Sequence, residues 1–195
     1  LWHALQYGDF SLAGGLSAWG FAIGASLGAF LYLRLTVGGW GEDFWDAATP
    51  GIAAAGALTR IGCFWAGCNF GKPSDLAWSV RYGPHSPAFH HQVSTGILDP
   101  GALWSKPIHP AQLYEGLALF LALPVLFLLP RLVRLNRHEL FLGFTTYYAV
   151  ARFFLEYARD DAGGVALGPL TFAQGTSLGI AILASSRLVL NRRRA

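Results

Sequence analysis

The sequence predicts an all-α, polytopic transmembrane helix bundle of about five spans, with an irregular extracytoplasmic loop or small head. Three observations predict it. Of 195 residues, 53% are apolar and only 13% are charged, whereas soluble domains carry about a quarter charged residues. Five segments stay apolar over roughly the 20 residues that cross a bilayer. Basic residues collect where those segments end, Arg131, Arg134 and Arg137 in one connection and Arg192, Arg193 and Arg194 at the C-terminus. Seven Trp and seven Tyr suit rings seated at headgroup level.

The first span, Leu12–Leu33, and the second, Phe44–Phe64, are rich in Gly and Ala. Small residues let backbones approach closely in lipid, so both are expected in the bundle interior. The third, Gln112–Leu129, is bulky from residue 117 onward and is expected to face lipid on one side. Leu140–Tyr157 and Leu170–Leu190 complete the set. Positive charge sets orientation: the two Arg clusters predict a cytoplasmic C-terminus, which puts residues 1–10, 67–110 and 160–169 outside. The 67–110 segment is rich in Pro, Gly and His without helical periodicity, an external loop region within a single membrane-embedded domain, residues 1–195.

No internal repeat or low-complexity linker is visible. Met is absent, also at position 1, which predicts that the chain begins downstream of an initiator; residues 1–11 do not read as a signal peptide. The net charge of +3 fits juxtamembrane anchoring to anionic lipid better than nucleic acid, and no nucleic-acid partner is expected.

Two arginines, Arg60 and Arg152, fall inside spans. A guanidinium there costs at least ~2.5–3.5 kcal/mol, which predicts a charged ligand, the phosphate of a lipid headgroup. Arg60 is followed by Gly62, Gly67 and Gly71, read as a Gly-rich turn that permits left-handed backbone and close ligand approach. An anion cradle and an arginine snorkelling to the outer interface both fit Arg60 alone.

In residues 106–116, Pro110 stands where a helix would begin, and Gln112 and Glu115 share a face. A carboxylate just inside an apolar helix needs a partner. His109 is a candidate base, with an ordinary hydrogen-bonding role as the alternative. Tyr148, Arg152, Glu156 and Arg159 recur at intervals of four, four and three, which lines them up on one helical face. They read as a self-satisfying ladder or as a site; Glu156 alone would leave donors of Arg152 over. Gln174 and Ser177 share one side of the last span, where helix–helix hydrogen bonds explain them equally well. Cys63 and Cys68, with His85, His90 and His91, lack zinc-site spacing, and no metal or cofactor is expected. A disulfide suits an oxidising compartment, but five-residue spacing on continuous helix points the thiols apart; reduced thiols packed in the bundle are the favoured reading.

Together these segments resemble the prolipoprotein diacylglyceryl transferase family. GGLSAWG (14–20) resembles its Gly-Gly-x-Ser-x-His-Gly segment, and RIGCFWAGCNFGKPSD (60–75) its signature Arg-Ile-Gly-Asn-Phe-x-Asn-x-Glu-x-x-Gly-Arg-Pro-Thr-Asp. HPAQLYE (109–115) is nearly identical to His-Pro-x-Gln-Leu-Tyr-Glu. YAVARFFLEYARDD (148–161) is similar to Tyr-Gly-x-x-Arg-x-x-x-Glu-x-x-Arg-x-Pro-Asp, and Gln174 and Ser177 match a final Gln-x-x-Ser. Where the family has Gly, His, Asn, Asn and Glu, this chain has Thr59, Trp19, Cys63, Ala66 and Cys68.

The resemblance implies seven spans with the N-terminus outside, two of them not in this chain, in a bacterial cytoplasmic (inner) membrane. It implies transfer of diacylglyceryl from phosphatidylglycerol to the lipobox cysteine of a prolipoprotein. Arg60 and Arg152 would hold the phosphate, Glu156 and Tyr148 would orient Arg152, and His109, Gln112 and Glu115 would shape the outer mouth. Gly62, Cys63, Gly71, Tyr114 and Arg159 would complete substrate binding. The rival expectation is a catalytically degenerate member, a lipid-binding structural subunit assembled with membrane-protein partners.

Overall fold

A computed structural model describes residues 27, 28, 31, 32, 34, 35, 44–160 and 165–194. The chain divides into two compact units, residues 1–44 and 45–195. In the first, residues 27, 28, 31 and 32 are helical. The expected span Leu12–Leu33 otherwise lies outside the described residues, as does Trp19.

The second unit is helical with almost no strand. Its elements are α1 (Phe44–Ala66), α2 (Pro87–Ser94), α3 (Ala111–Leu132), α4 (Glu139–Leu155), a 3-10 turn (Glu156–Ala158), strands β1 (Val165–Leu167) and β2 (Leu170–Thr171), and α5 (Phe172–Arg194). Ala111–Leu132 and Phe172–Arg193 are long and apolar enough to cross a membrane.

The apolar core joins Ala53 and Ala57 of α1, Leu119, Ala122 and Leu126 of α3, and Leu140 and Phe144 of α4. Helices α4 and α5 pack along each other, connected by the β1–β2 hairpin. One side of α3 is exposed, through Leu117, Phe120, Leu121, Val125 and Leu128. Among the described residues α1 buries only the stripe Thr49, Ala53 and Ala57, while Leu58, Ile61 and Trp65 are exposed; its small residues make one close-packed face, not a helix enclosed all round.

The α4 N-terminus has no local side-chain cap. Asp46 of α1 takes that place, accepting from the His138 and Phe141 amides at 2.7 and 2.8 Å. A carboxylate there satisfies orphan N–H groups and complements the helix dipole. At the same end, Arg192 of α5 meets buried Glu139 at 3.1 Å, and Asn191 donates to the Arg137 carbonyl.

Residues 67–110 fold around a second, smaller core of Phe70, Ala88 and Ile108, with Val80 and Tyr82 against it. The segment is not wholly irregular: α2 lies within it, started by Ser86, whose hydroxyl accepts the Phe89 amide, and by Pro87. Ser followed by Pro is a helix-start signal too short to register as periodicity. The ends of the segment are tied together, Gly71 donating to the His109 carbonyl and His109 to the Lys72 carbonyl at 3.2 and 2.9 Å, while Val80 and Ile108 exchange two backbone bonds at 3.0 Å.

Candidate functional site: a chain of buried ion pairs

Five charged side chains form one continuous chain. Arg60 Nη2 meets Glu115 Oε1 at 2.9 Å; Glu115 Oε2 faces Arg159 Nη1 at 3.5 Å; Arg159 Nε faces Glu156 Oε2 at 3.9 Å; and Glu156 Oε2 meets Arg152 Nη1 at 2.5 Å. The carboxylates are 1–2% exposed, the arginines 10–20%. Burial this deep is tolerable only with pairing, so each carboxylate is held by guanidinium and hydroxyl donors. Tyr148 donates to Glu115 Oε1 and Thr171 to Glu156 Oε1 at 2.9 Å. Among the described residues the chain joins three guanidinium groups and two carboxylates. Arg152 has donors given no acceptor among the described residues.

The supporting backbone comes from every element at this end. Arg60 projects from α1, Glu115 from the first turns of α3, and Tyr148 and Arg152 from α4. The expected single helical face through Arg159 does not continue. The chain tightens into the 3-10 turn at 156–158, and Arg159 is extended, bridging Gly71. This break lets Arg159 reach Glu115 as well as Glu156. Thr171 and Gln174 form a capping box at the start of α5: the Gln174 amide donates to Thr171 Oγ1 and the Thr171 amide to Gln174 Oε1, at 3.2 and 3.0 Å. Gln174 thus caps its own helix instead of bridging to another.

The expected Gly-rich turn begins later than the spacing suggests. Gly62 lies within α1 with open space where a Cβ would go. The helix ends in a Schellman cap: Gly67, at φ 70°, donates to the Phe64 carbonyl and Cys68 to the Cys63 carbonyl. Gly71 is a close crossing of backbones; a Cβ there would sit 2.5 Å from the His109 carbonyl oxygen and 2.8 Å from that of Ala158. Because of the cap, Cys63 and Cys68 are not on continuous helix and do not point apart. Neither is in a disulfide, and Asn69 Nδ2 lies 3.3 Å from one sulfur and 3.8 Å from the other. Asn69 Oδ1 accepts from Arg159 Nη2 at 2.9 Å. Among the described residues no metal-binding cluster forms.

The remaining candidates surround this chain. Gln112, 1% exposed, donates to the Cys68 carbonyl at 2.7 Å. His109 and Tyr114 make a separate group: Trp78 Nε1 donates to the Tyr114 hydroxyl at 2.7 Å, and that hydroxyl lies 3.2 Å from His109 Nδ1. Among the described residues His109 makes no hydrogen bond or ion pair with the arginines; its ring is held by Tyr114. A separate apolar cleft of about 460 Å³ between α3 and α4, lined by Leu121, Val125, Leu129, Gly143 and Phe144, shares no residue with the ion-pair chain. Its one charged residue, Glu139, is already paired with Arg192.

A model of the family described as prolipoprotein diacylglyceryl transferase matches residues 5–190. The chain belongs to that family. Among curated relatives named phosphatidylglycerol–prolipoprotein diacylglyceryl transferase, one from Frankia alni is 36% identical over 155 residues, 80% of this chain and 37% of the relative. Those from Bacillus cereus strain G9842 and Bacillus mycoides strain KBAB4 are each 32% identical over 183 residues, 92% of this chain and 62% of the relative. The chain therefore spans less than two thirds of the length of these relatives. For a prolipoprotein diacylglyceryl transferase family member, the signature positions Cys63 and Cys68 stand at the cap beside the arginines. Sequence reasoning missed Asn69, Thr171 and Trp78. Thr171-x-x-Gln174 was visible as a capping box; Asn69 and Trp78 carry no comparable signal.

Proposed function

We propose that this protein is a bacterial cytoplasmic-membrane diacylglyceryl transferase that takes phosphatidylglycerol as donor and a prolipoprotein lipobox cysteine as acceptor. The observation that carries it is the buried chain Arg60–Glu115–Arg159–Glu156–Arg152, which sets Arg60 and Arg152 at its two ends and leaves guanidinium donors of Arg152 without an acceptor among the described residues. Spare guanidinium donors in apolar surroundings favour an anion, and a phosphodiester headgroup supplies one. The names of the relatives supply the donor and acceptor classes.

Arg60 and Arg152 hold the headgroup phosphate, with Arg159 fixed between the two carboxylates. Glu156 orients Arg152, Tyr148 orients Glu115, and through Glu115 the position of Arg60 is set. The acceptor thiol loses its proton and its sulfur attacks the diacylglyceryl carbon bonded to the phosphate ester oxygen. An S–C bond forms, the C–O bond breaks, and glycerol phosphate departs with the electron pair. Guanidinium groups stabilise the charge that develops on the departing phosphate. His109, held by Tyr114, stands at the outer mouth with Gln112, and the 67–110 segment forms an external head over it. Five spans cross the membrane, with the two basic segments and the C-terminus in the cytoplasm; both basic segments meeting at one end of the bundle supports this.

The test is transfer by the purified full-length protein from phosphatidylglycerol vesicles to a synthetic lipobox peptide, read as the mass gain of the peptide. Arg152→Ala and Arg60→Ala should each lower the rate by about 100-fold or more, the scale for removing a group that stabilises developing charge. No modified peptide with the parent protein, or rates untouched by both substitutions, defeats the reading.

A further inference from the structure

We propose that Cys63 and Cys68 are a reversible dithiol–disulfide pair that controls, through Asn69, how firmly Arg159 is held. In a Schellman cap the residue two beyond the helix end packs back on the third residue before the end. Here those residues are Cys68 and Cys63, joined by the Cys68 amide to Cys63 carbonyl bond at 3.2 Å. The fold of the cap, not the sequence spacing, brings the thiols together. Both are partly accessible, so an oxidant can reach them.

One amide nitrogen lies against both sulfurs, and its other end carries the consequence. Asn69 is fixed in left-handed backbone at φ 52°. Its Nδ2 contacts both sulfurs and its Oδ1 accepts from Arg159. A disulfide needs the sulfurs at about 2 Å, which draws them off a shared donor and releases the Asn69 side chain. Arg159 then loses the Asn69 acceptor. The backbone that carries it is tied to the same loop: the Asp160 amide donates to Phe70 and the Lys72 amide to Ala158, at 3.2 and 2.9 Å.

The chemistry is thiol–disulfide exchange. A thiolate of the pair attacks the disulfide of a small-molecule or protein oxidant and one oxidant thiol leaves. The second thiolate displaces the other, so the protein gives up two protons and two electrons and the oxidant becomes two thiols.

The experiment uses the full-length protein in lipid nanodiscs, equilibrated with dithiothreitol or with oxidised glutathione. Alkylation and peptide mass mapping should find two labelled thiols after reduction and an intramolecular Cys63–Cys68 disulfide after oxidation. Amide hydrogen exchange at Lys72 and Asp160 should be about tenfold faster in the oxidised protein, the scale for losing one hydrogen bond to a charged group. The Cys63→Ser/Cys68→Ser variant should not respond to the oxidant. Asn69→Ala should exchange fast in both states while still forming the disulfide. Two labelled thiols after oxidation, a disulfide only between separate chains, or equal exchange in both states overturns the proposal. Each readout is independent of lipid transfer.

Discussion

Removing the Glu115 carboxylate leaves Arg60 and Arg159 facing each other across a buried gap. Glu115→Ala should therefore destabilise the protein by about 3–5 kcal/mol, the cost of a buried charge without its partner. Thermal unfolding in detergent checks it, and a loss under 1 kcal/mol would mean that Glu115 is not the hub. Tyr82, outside the spans, gives a pH test. Its hydroxyl donates to the Phe64 carbonyl at 2.8 Å, and burial pushes its pKa up to about 12. A folded value above the ordinary one stabilises fully below pH 10 and fades as pH climbs to 12. Tyr82→Phe should cost about 1 kcal/mol below pH 10 and narrow the gap to the parent between pH 10 and 12. A gap that stays constant over that window would refute the link. At this scale the sequence is legible where a residue is costly. Arg60, Glu115, Arg152 and Glu156 stand out because charge in an apolar run demands a reason. Asn69 and Thr171 do not, since neutral polar residues in loops and caps are ordinary.

At the scale of elements, Asp46 ties α1 to the start of α4 across 92 residues of sequence. Asp46→Ala should lose about 1–2 kcal/mol of stability, as for other lost N-caps. Asp46→Asn should retain part of it by keeping one acceptor. Equal losses in the two variants, measured by thermal unfolding, would show that the cap is not the source. The helices themselves were legible from apolar runs: the predicted Phe44–Phe64 and Gln112–Leu129 lie within α1 and α3. Their ends were less so. Intervals of four, four and three imply a continuous helix to Arg159, yet the chain tightens at Glu156 and turns extended. Spacing records periodicity, and it does not record where tertiary contacts stop a helix.

For the whole molecule the expectation concerns sidedness. In a Cys63→Ser/Cys68→Ser background, Asp99→Cys should react with a membrane-impermeant maleimide in intact cells. Arg134→Cys should react only after permeabilisation. Both positions are exposed, so labelling of the two from the same side would reverse or dissolve the predicted orientation. What the sequence by itself determined is the helical class, the apolar segments and the costly charges within them, along with family membership. All follow from local composition and motif order. Tertiary structure alone decided that Glu115 joins Arg60 to Arg159, that Asp46 caps a distant helix, and that a cap folds Cys68 onto Cys63. These depend on which surfaces meet across tens of residues, and the one-dimensional pattern holds no term for that distance.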